Sequence, residues 1–182
     1  RASFLASSTN GTFKNSQLDK YIGTFNGQYK FLDKKLTIGF SLIAGHTSED
    51  VIAVSNTAGS EGNIISSALQ WNPTTSFKDA NGKWVYPTNG SGNPMALLDA
   101  YDDKVQINSV LANISASYKI LKNLDYKFQY AINNSVGSRL TNIYGFLQGY
   151  AGLSGSGYGA ISGQKLNSQT FTHTLNYNAT LT

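Results

Sequence analysis

The chain of 182 residues contains no cysteine and only three prolines, and charged residues make up only 13% of it. An average soluble domain is about 25% charged. The absence of cysteine excludes a disulfide framework and any metal site built on thiolates. No run of about 18 apolar residues occurs, so the sequence offers no transmembrane helix. The net charge of +4 is scattered without a basic stripe, and nucleic-acid binding is therefore not expected.

Glycine, serine, threonine, asparagine and tyrosine take the place of the missing charges, and this mixture favours sheet and turn over helix. The segment SQTFTHTLNYNATL, residues 168–181, shows the pattern most clearly. Phe171, Leu175 and Tyr177 fall on one parity, whereas threonine and asparagine occupy the other. Strict alternation over this length predicts a β-strand with one apolar and one polar face.

Five further segments alternate in the same way, and no helix is expected between them. The sequence therefore predicts an all-β, antiparallel fold with about six strands. A chain that opens with the alternating residues RASFLASS, without a signal peptide, is expected to be an internal piece of a longer protein. The predicted strands are approximately residues 1–8, 19–32, 35–46, 105–121, 124–135 and 168–182.

The predicted connections differ strongly in length. Tight hairpins are expected around Asp33-Lys34 and Lys122-Asn123, whereas long loops are expected over residues 47–104 and 136–167. Short periplasmic turns and long extracellular loops are typical of transmembrane β-barrels, whose strands need about 9–11 residues to cross the membrane. A secreted β-sandwich is the competing interpretation, because alternation occurs there too. In a barrel, the residues expected to face lipid are Phe25, Tyr29, Phe40, Ile114, Tyr118, Phe128, Tyr130, Phe171, Leu175 and Tyr177.

Three stretches carry a family resemblance: YIGTFNGQYKFLDKKLTIGFSL, ALQWNPTTSFKDANGKWVYPTNGSGNPMALL and VLANISASYKILKNLDYKFQYAI. Their order and spacing resemble the barrel of SusC-like (SusC/RagA-type) TonB-dependent outer-membrane transporters. The resemblance covers Arg1 to about Ile132. The residues that match are Asn72 and Pro73, the NP-x-A-L element Asn93, Pro94, Ala96 and Leu97, and Leu111, Asn113, Ser115, Ala116 and Tyr118.

The resemblance implies active uptake of oligosaccharides or oligopeptides across the outer membrane of a Gram-negative bacterium. It implies a SusD-like surface lipoprotein and TonB as partners, no cofactor and no enzymatic activity. The plug domain of the family has no counterpart in this sequence, and six strands would enclose only part of such a barrel. The alternatives are a small outer-membrane barrel or a secreted β-sandwich acting as an adhesin or binding module.

Aromatic residues of the predicted loops are candidate contacts for a substrate or partner, because aromatic faces stack on sugar rings and peptide side chains. The competing interpretation is that they pack the loop against itself. No catalytic motif occurs, and His46 and His173 lack the neighbouring ligands that a metal site needs. The candidate contacts are Trp71, Trp84, Tyr86, Tyr101, Tyr144, Tyr150 and Tyr158.

Charged residues raise two further questions. Asp102 and Asp103 are expected to be ordinary loop charges. Lys30, Lys119 and Lys127 fall on the polar parity near the short turns. They either bias the interior toward anions or pair with Asp125 across the hairpin, and the sequence leaves both possibilities open.

Overall fold

The computed structural model describes residues 1–53, 63–86, 92–147 and 156–178. The strands form one antiparallel sheet in the order β1-β2-β3-β4-β5-β6, so each strand pairs with the next along the chain. The predicted all-β, antiparallel class is thus confirmed, and the sheet is open, with β1 and β6 at its edges. The elements are β1 (Ala2–Asn10), β2 (Gln17–Phe31), β3 (Leu36–Asp50), α1 (Ile64–Gln70), α2 (Pro94–Ala100), β4 (Tyr101–Leu121), β5 (Leu124–Ile143) and β6 (Tyr158–Tyr177).

The register sorts the side chains into two faces. Phe40 lies opposite both Gly27 and Ile114, and the same row continues through Tyr130 to Phe171. Since neighbours in a row share a face and side chains alternate along each strand, one row fixes all the others. All ten residues expected to face lipid lie on the same face, which we call the apolar face. The opposite face, called the polar face, carries mainly serine, threonine, asparagine, glutamine and lysine.

The apolar face has no cover within the described ranges. Tyr29 is 66% exposed, Phe171 62% and Leu175 64%. The rings pack against each other along the face instead. Tyr130 stacks on Phe171 with ring centroids 4.5 Å apart, and Phe25 contacts Phe40 at 5.3 Å. A continuous exposed apolar surface of this extent is typical of a membrane or protein contact.

At the end of the sheet opposite the short turns, the strands are longer than the sequence predicted. Residues 136–167 were expected to form a loop, but β5 continues to Ile143 and β6 begins at Tyr158. Likewise, β3 extends to Asp50 and β4 begins at Tyr101. The prediction failed because apolar and polar side chains are mixed on both faces of these extensions. The ladder of backbone hydrogen bonds continues there without the alternation that identifies a strand in sequence.

Helices α1 and α2 lie inside the segment 47–104, where no helix was predicted. Each has only seven residues. A helix this short shows less than two turns of periodicity, so the hydrophobic pattern cannot reveal it. No helix in the parts of the chain that the structure describes is long and apolar enough to span a membrane.

The two short turns lie at the other end of the sheet. Lys122 and Asn123 form the two-residue connection between β4 and β5. Between β2 and β3, three consecutive residues have left-handed backbones: Leu32 (φ 54°), Asp33 (φ 52°) and Lys34 (φ 68°). Lys35 N–H donates to the Leu32 carbonyl at 2.9 Å and closes that turn. The predicted contrast between short turns at one end and long connections at the other is therefore present.

We predict that Gly27→Ala destabilises the sheet. A Cβ at position 27 would collide with the Phe40 ring, which lies over Gly27. The ring would have to leave its contact with Phe25, and such aromatic pairs contribute about 0.5–1.5 kcal/mol. Gly23→Ala is the matched control, because it lies on the same strand and face with only the Ala44 carbonyl oxygen 4.0 Å away. Unfolding titrations in detergent should show a loss for the first variant alone, and equal effects would contradict this packing.

Candidate ligand-contact site at the loop end of the sheet

Helix α2 is built from the NP-x-A-L element. Asn93 is its N-cap and accepts from the N–H groups of Met95 (3.0 Å) and Ala96 (3.1 Å). Pro94 occupies the first helical position, where its missing N–H costs nothing. Ala96 and Leu97 are buried on the inward side of the helix. The motif is therefore the start signal of a short helix with one apolar side.

Asn93 also holds the helix to the preceding loop. Its side-chain amide donates to the carbonyls of Phe77 (2.8 Å) and Val85 (3.0 Å), two residues paired across a small hairpin. The residue is fully buried. Together with its two capping bonds, one side chain thus makes hydrogen bonds to four backbone groups in the interior.

A small apolar core joins the helices to the sheet. Ile64 of α1 packs with Leu97 of α2 and with Ile143 at the end of β5. Tyr101 and Ile143 pair across β4 and β5, and the register places both on the polar face of the sheet. The loop segments therefore fold over the polar face and leave the apolar face free. The buried members of this loop core are Ala53, Ile64, Ala96, Leu97, Ala100, Ile143 and Leu147.

A polar network lies beside the loop core. Asp103 is 2% exposed and receives hydrogen bonds from the Arg139 guanidinium, with Nε 2.9 Å from Oδ1. The Tyr101 hydroxyl donates to Asp103 Oδ2 at 2.8 Å. The expectation that Asp103 is an ordinary loop charge is wrong, because β4 begins before it and turns it inward. Asp102 points the other way and makes only a long, exposed contact with Lys104 at 3.8 Å.

The network changes the pKa of Asp103 and of Tyr101. Both lie on the loop side of Val110, where the apolar stretch of β4 begins. Burial of Asp103 opposes ionisation, but the hydrogen bonds from Arg139 and Tyr101 outweigh it and lower the pKa of the carboxyl. Burial, followed by the hydrogen bond to Asp103, raises the pKa of Tyr101 to about 12. Asp103 is therefore ionised and Tyr101 neutral at physiological pH. These are the charge states in which the Tyr101 hydroxyl can donate its hydrogen bond to the Asp103 carboxylate.

A cleft of about 800 Å³ opens beside this network. One wall is the β1–β2 connection, residues 11–16, whose Asn15 amide donates to the Leu98 carbonyl at 3.4 Å. The other wall comes from the ends of β3 and β4 and from Tyr144. Three carboxylates and two ammonium groups border the cleft besides the paired Asp103, so it combines hydrogen-bonding groups of both signs with aromatic surface. These charged residues are Asp50, Asp99, Asp102, Lys14 and Lys104.

The two tryptophans expected as ligand contacts are packed within the loop. Trp71 is 8% exposed, stacks on Phe77 at 5.3 Å and donates its indole N–H to the Thr75 carbonyl at 3.0 Å. Trp84 packs against the loop core, and the Lys78 ammonium lies 4.0 Å above its ring. The interpretation that these aromatics pack the loop against itself accounts for both positions.

The tyrosines are more widely distributed. Tyr86 packs on the loop core and its hydroxyl donates to the Phe146 carbonyl at 3.2 Å. Tyr144, which borders the cleft, is 48% exposed. Tyr158 is exposed at the start of β6, and Tyr150 lies outside the described residues. Tyr101 and Tyr144 are thus the predicted contacts that the fold brings to the cleft.

Sequence reasoning missed the residues that build the site, above all Asn93, Arg139 and the β1–β2 connection. Asn93-Pro94 carried a usable signal, since asparagine followed by proline is a helix start. Nothing local marks Arg139, whose partner is 36 positions away. Among the described residues, no group of three or more histidine, cysteine or acidic side chains could hold a metal ion.

No family model matches the chain. A search of curated proteins finds a similar sequence in the TonB-dependent receptor P3 of Formosa agariphila, with 24% identity over 128 residues. The match covers 68% of this chain, whereas it covers only 13% of the length of that receptor. This distant similarity, together with the open antiparallel sheet, relates the chain to a segment of a TonB-dependent receptor, a class of outer-membrane receptors rather than enzymes.

We predict that Asn93→Ala loosens the loop core. The variant removes hydrogen bonds to two carbonyls and two N–H groups, of which the Phe77 carbonyl keeps its bond from the Val85 N–H, and a buried unsatisfied group costs about 1–3 kcal/mol. The matched control is Asn63→Ala, which removes the N-cap of α1 and its bonds to Ile65 (2.9 Å) and Ser66 (3.3 Å) at a cost of about 1 kcal/mol. Hydrogen exchange of the segment 64–100 should accelerate far more for the first variant, and comparable acceleration would contradict the central role of Asn93.

We predict that the stability of the loop end falls in acid because Asp103 titrates. Its folded-state pKa lies below the unfolded value of about 3.9. The ionised form therefore stabilises the fold above that value, and the contribution disappears as the pH drops through the folded-state pKa.

Asp103→Asn should remove this part of the acid dependence and cost about 2 kcal/mol at neutral pH, the range for hydrogen bonds to charged groups. Asp102→Asn, at an exposed neighbour, should change stability by less than about 1 kcal/mol. Chemical denaturation measured across the acid range separates the two variants. An unchanged pH profile for Asp103→Asn would contradict the assignment.

Proposed function

We propose that the chain is part of the barrel wall of a SusC-like TonB-dependent transporter that imports oligosaccharides or oligopeptides across the outer membrane of a Gram-negative bacterium. The observation that carries the proposal is the division of the sheet into one uncovered apolar face and one polar face. Backbone groups in hydrocarbon must all be paired, so an edge-free barrel is the form in which such a sheet can lie in a membrane. The ten apolar-face residues then face lipid.

The height of the apolar face supports this placement. On β4 it runs from Val110 to Ile120, which is about 34 Å along a strand at roughly 3.4 Å per residue. In a strand tilted by about 35–45°, this length along the strand corresponds to a height of about 25 Å across the membrane. That is the height of the apolar band of outer-membrane barrels. Aromatic rings lie at the short-turn end of the band, among them Tyr118, Tyr126 and Tyr177, as expected of an interfacial girdle.

The loop end of the sheet is, on this proposal, the extracellular side. The loop core lies over the polar face, where a solute entering the barrel would meet it, and the cleft lies at the loop end of the sheet. Tyr144 and the carboxylates of the cleft are suited to stack on and accept hydrogen bonds from hydroxylated or amine-bearing solutes. The NP-x-A-L element and the resemblance to SusC-like transporters support a SusD-like lipoprotein as the extracellular partner and TonB as the energy-coupling partner.

The alternative of a secreted β-sandwich adhesin or binding module requires a second sheet against the apolar face. Within the described ranges all six strands belong to one sheet and neither helix covers that face. A small outer-membrane barrel would also have an apolar and a polar face, but it would not account for the similarity to a segment of a TonB-dependent receptor. The observations therefore favour the transporter.

Cysteine labelling tests the proposal directly, since this segment contains no cysteine of its own. Ile114 and Ser115 are neighbours on β4 that lie on the apolar and the polar face respectively. In the full-length receptor in proteoliposomes, Ser115→Cys should react with a membrane-impermeant maleimide, whereas Ile114→Cys should react only with a lipid-soluble one. Equal reaction of both positions with the impermeant reagent would overturn the membrane assignment.

A further inference from the structure

The loop-end border of the apolar side chains runs obliquely across the apolar face. The apolar stretch of β1 ends at Ala6, whose row reaches β6 at Lys165. On β6, however, the apolar stretch ends at Phe171, six positions nearer the short turns. A shift of about 20 Å along the strands over five strand spacings, about 24 Å, is a slope of about 40°. The first polar residues beyond the border, one on each strand, are Ser8, Asp19, His46, Asn108, Asn134 and Gln169.

The aromatic residues at the short-turn end follow the same slope. The row of Tyr29 on β2 reaches β6 at His173, whereas the ring at the end of β6 is Tyr177, four positions nearer the short turns. An offset of about 14 Å over four strand spacings, about 19 Å, is a slope of about 35°. Strands of membrane barrels are tilted by about 35–45°. Both borders are therefore level with the membrane plane when the strands cross it at this tilt.

A groove of about 390 Å³ lies in the apolar face next to the loop-end border. Gly23 and Ala44, which pair across β2 and β3, form its floor. A Cβ at position 23 would meet only the Ala44 carbonyl oxygen, 4.0 Å away. Phe4 and Val110 close the same row, so the groove spans three strand spacings, about 14 Å. Hydrocarbon chains fill such a space well, because an empty space forfeits dispersion contacts.

Two hydrogen-bond donors lie at the loop-end rim of the groove. Tyr21 stacks on His46 with ring centroids 6.4 Å apart, and His46 Nδ1 lies 2.8 Å from the Asn108 amide oxygen. This contact uses the amide oxygen of Asn108. Its N–H groups and the Tyr21 hydroxyl make no hydrogen bond within the part of the chain that the structure describes. Ester carbonyls, which join acyl chains to a lipid headgroup at the edge of the hydrocarbon, accept from such donors.

The polar residues beyond the border carry little charge. Among the two positions per strand that follow the border, Asp19 is the one acidic residue, and neither lysine nor arginine occurs. Anionic lipid surfaces attract clusters of lysine and arginine, so this border does not suit an anionic headgroup. Hydroxyl, amide and carboxylate groups suit the hydroxyl groups of a sugar. The second positions beyond the border are Asn10, Gln17, Ser48, Gln106, Val136 and Asn167.

We infer that the groove binds an acyl chain of a glycolipid from the membrane leaflet at the loop end. The ester carbonyls of the lipid then accept from Tyr21 and Asn108, and its uncharged sugar headgroup donates to Asp19. The inference rests on the proposed function, because it requires the apolar face to lie in a membrane. A lipid bound here contacts β1, β2, β3 and β4 at once and so fixes this wall at one depth in the membrane.

The test uses the full-length receptor in a sugar-free polyoxyethylene detergent and counts bound lipid by native mass spectrometry. The probes are two lipids with identical palmitoyl chains, monoglucosyl diacylglycerol and phosphatidylglycerol, and free glucose. The wild-type receptor should bind the glucosyl lipid about fivefold more tightly than phosphatidylglycerol, which is the effect of one added hydrogen bond. Free glucose should not bind measurably, because it has no chain for the groove.

Two leucines that fill the groove should prevent binding. Gly23→Leu combined with Ala44→Leu should weaken the glucosyl lipid about tenfold, which corresponds to lost contact for roughly two methylene groups. The matched control is Ala112→Leu combined with Ala116→Leu, which adds the same side chains to the same face outside the groove. The control should bind both lipids as the wild type does.

A second pair of variants tests the rim and does not depend on folding of the leucine variant. Asn108→Ala removes a donor at the rim and should lower the preference for the glucosyl lipid about fivefold. Asn134→Ala, at the same border on β5 but outside the groove, should keep the preference. Thermal unfolding in the same detergent checks that each variant is folded.

Four outcomes would overturn the inference. Unchanged lipid binding by the leucine variant, with Ser115→Cys still labelled from water, would remove the groove and leave the proposed function standing. An equal loss in either control would reduce the effect to unspecific lipid contact. Tighter binding of phosphatidylglycerol would contradict the sugar headgroup, and binding of free glucose would contradict the need for a chain. Equal labelling of Ile114→Cys and Ser115→Cys by the impermeant maleimide would instead refute the proposed function itself.

Discussion

Antiparallel pairing in an almost unbroken register is the constraint on which the rest of the structure depends. A strand has a side-chain period of two, so a slip of one residue would move every apolar side chain of that strand to the polar face. The register is continuous through all five strand pairs, and the single irregularity lies between Lys119 and Leu121, next to a short turn. Six strands can therefore present one apolar face although no strand carries a strong signal alone.

The same register continues past the apolar stretch and carries the loops. On the loop side of Val110 the polar face of β4 also carries Val105 and Ile107, and pairing persists with β3 as far as Lys104 and with β5 as far as Tyr101. Tyr101 and Ile143 end the ladder on the polar face and supply the surface on which α1 and α2 pack. The side to which the loops fold is thus set by strand parity.

The sequence predicted the features that depend on alternation: six antiparallel strands, the two short turns and the membership of each face. It failed where alternation disappears. In residues 136–143 and 158–167 apolar and polar side chains are mixed on both faces, so the alternation is lost although the backbone hydrogen bonds of the sheet continue. The helices of the segment 47–104 are too short to show a period, and Asn93-Pro94 was the available local clue. The pairing of Asp103 with Arg139 depends on distant positions, and no local pattern could predict it.

Polar side chains on the apolar face provide an independent argument about its environment. The Tyr126 hydroxyl and His173 Nδ1 lie 2.6 Å apart, and the Tyr130 hydroxyl donates to Gln169 at 3.1 Å. Higher up the face, His46 Nδ1 lies 2.8 Å from the Asn108 amide oxygen. On a surface in water such pairs contribute little, since water satisfies each group equally well. Next to hydrocarbon an unpaired polar group is costly, so mutual pairing is what a lipid-facing surface requires. His46 and His173, which the sequence left without a role, are hydrogen-bond partners on this face.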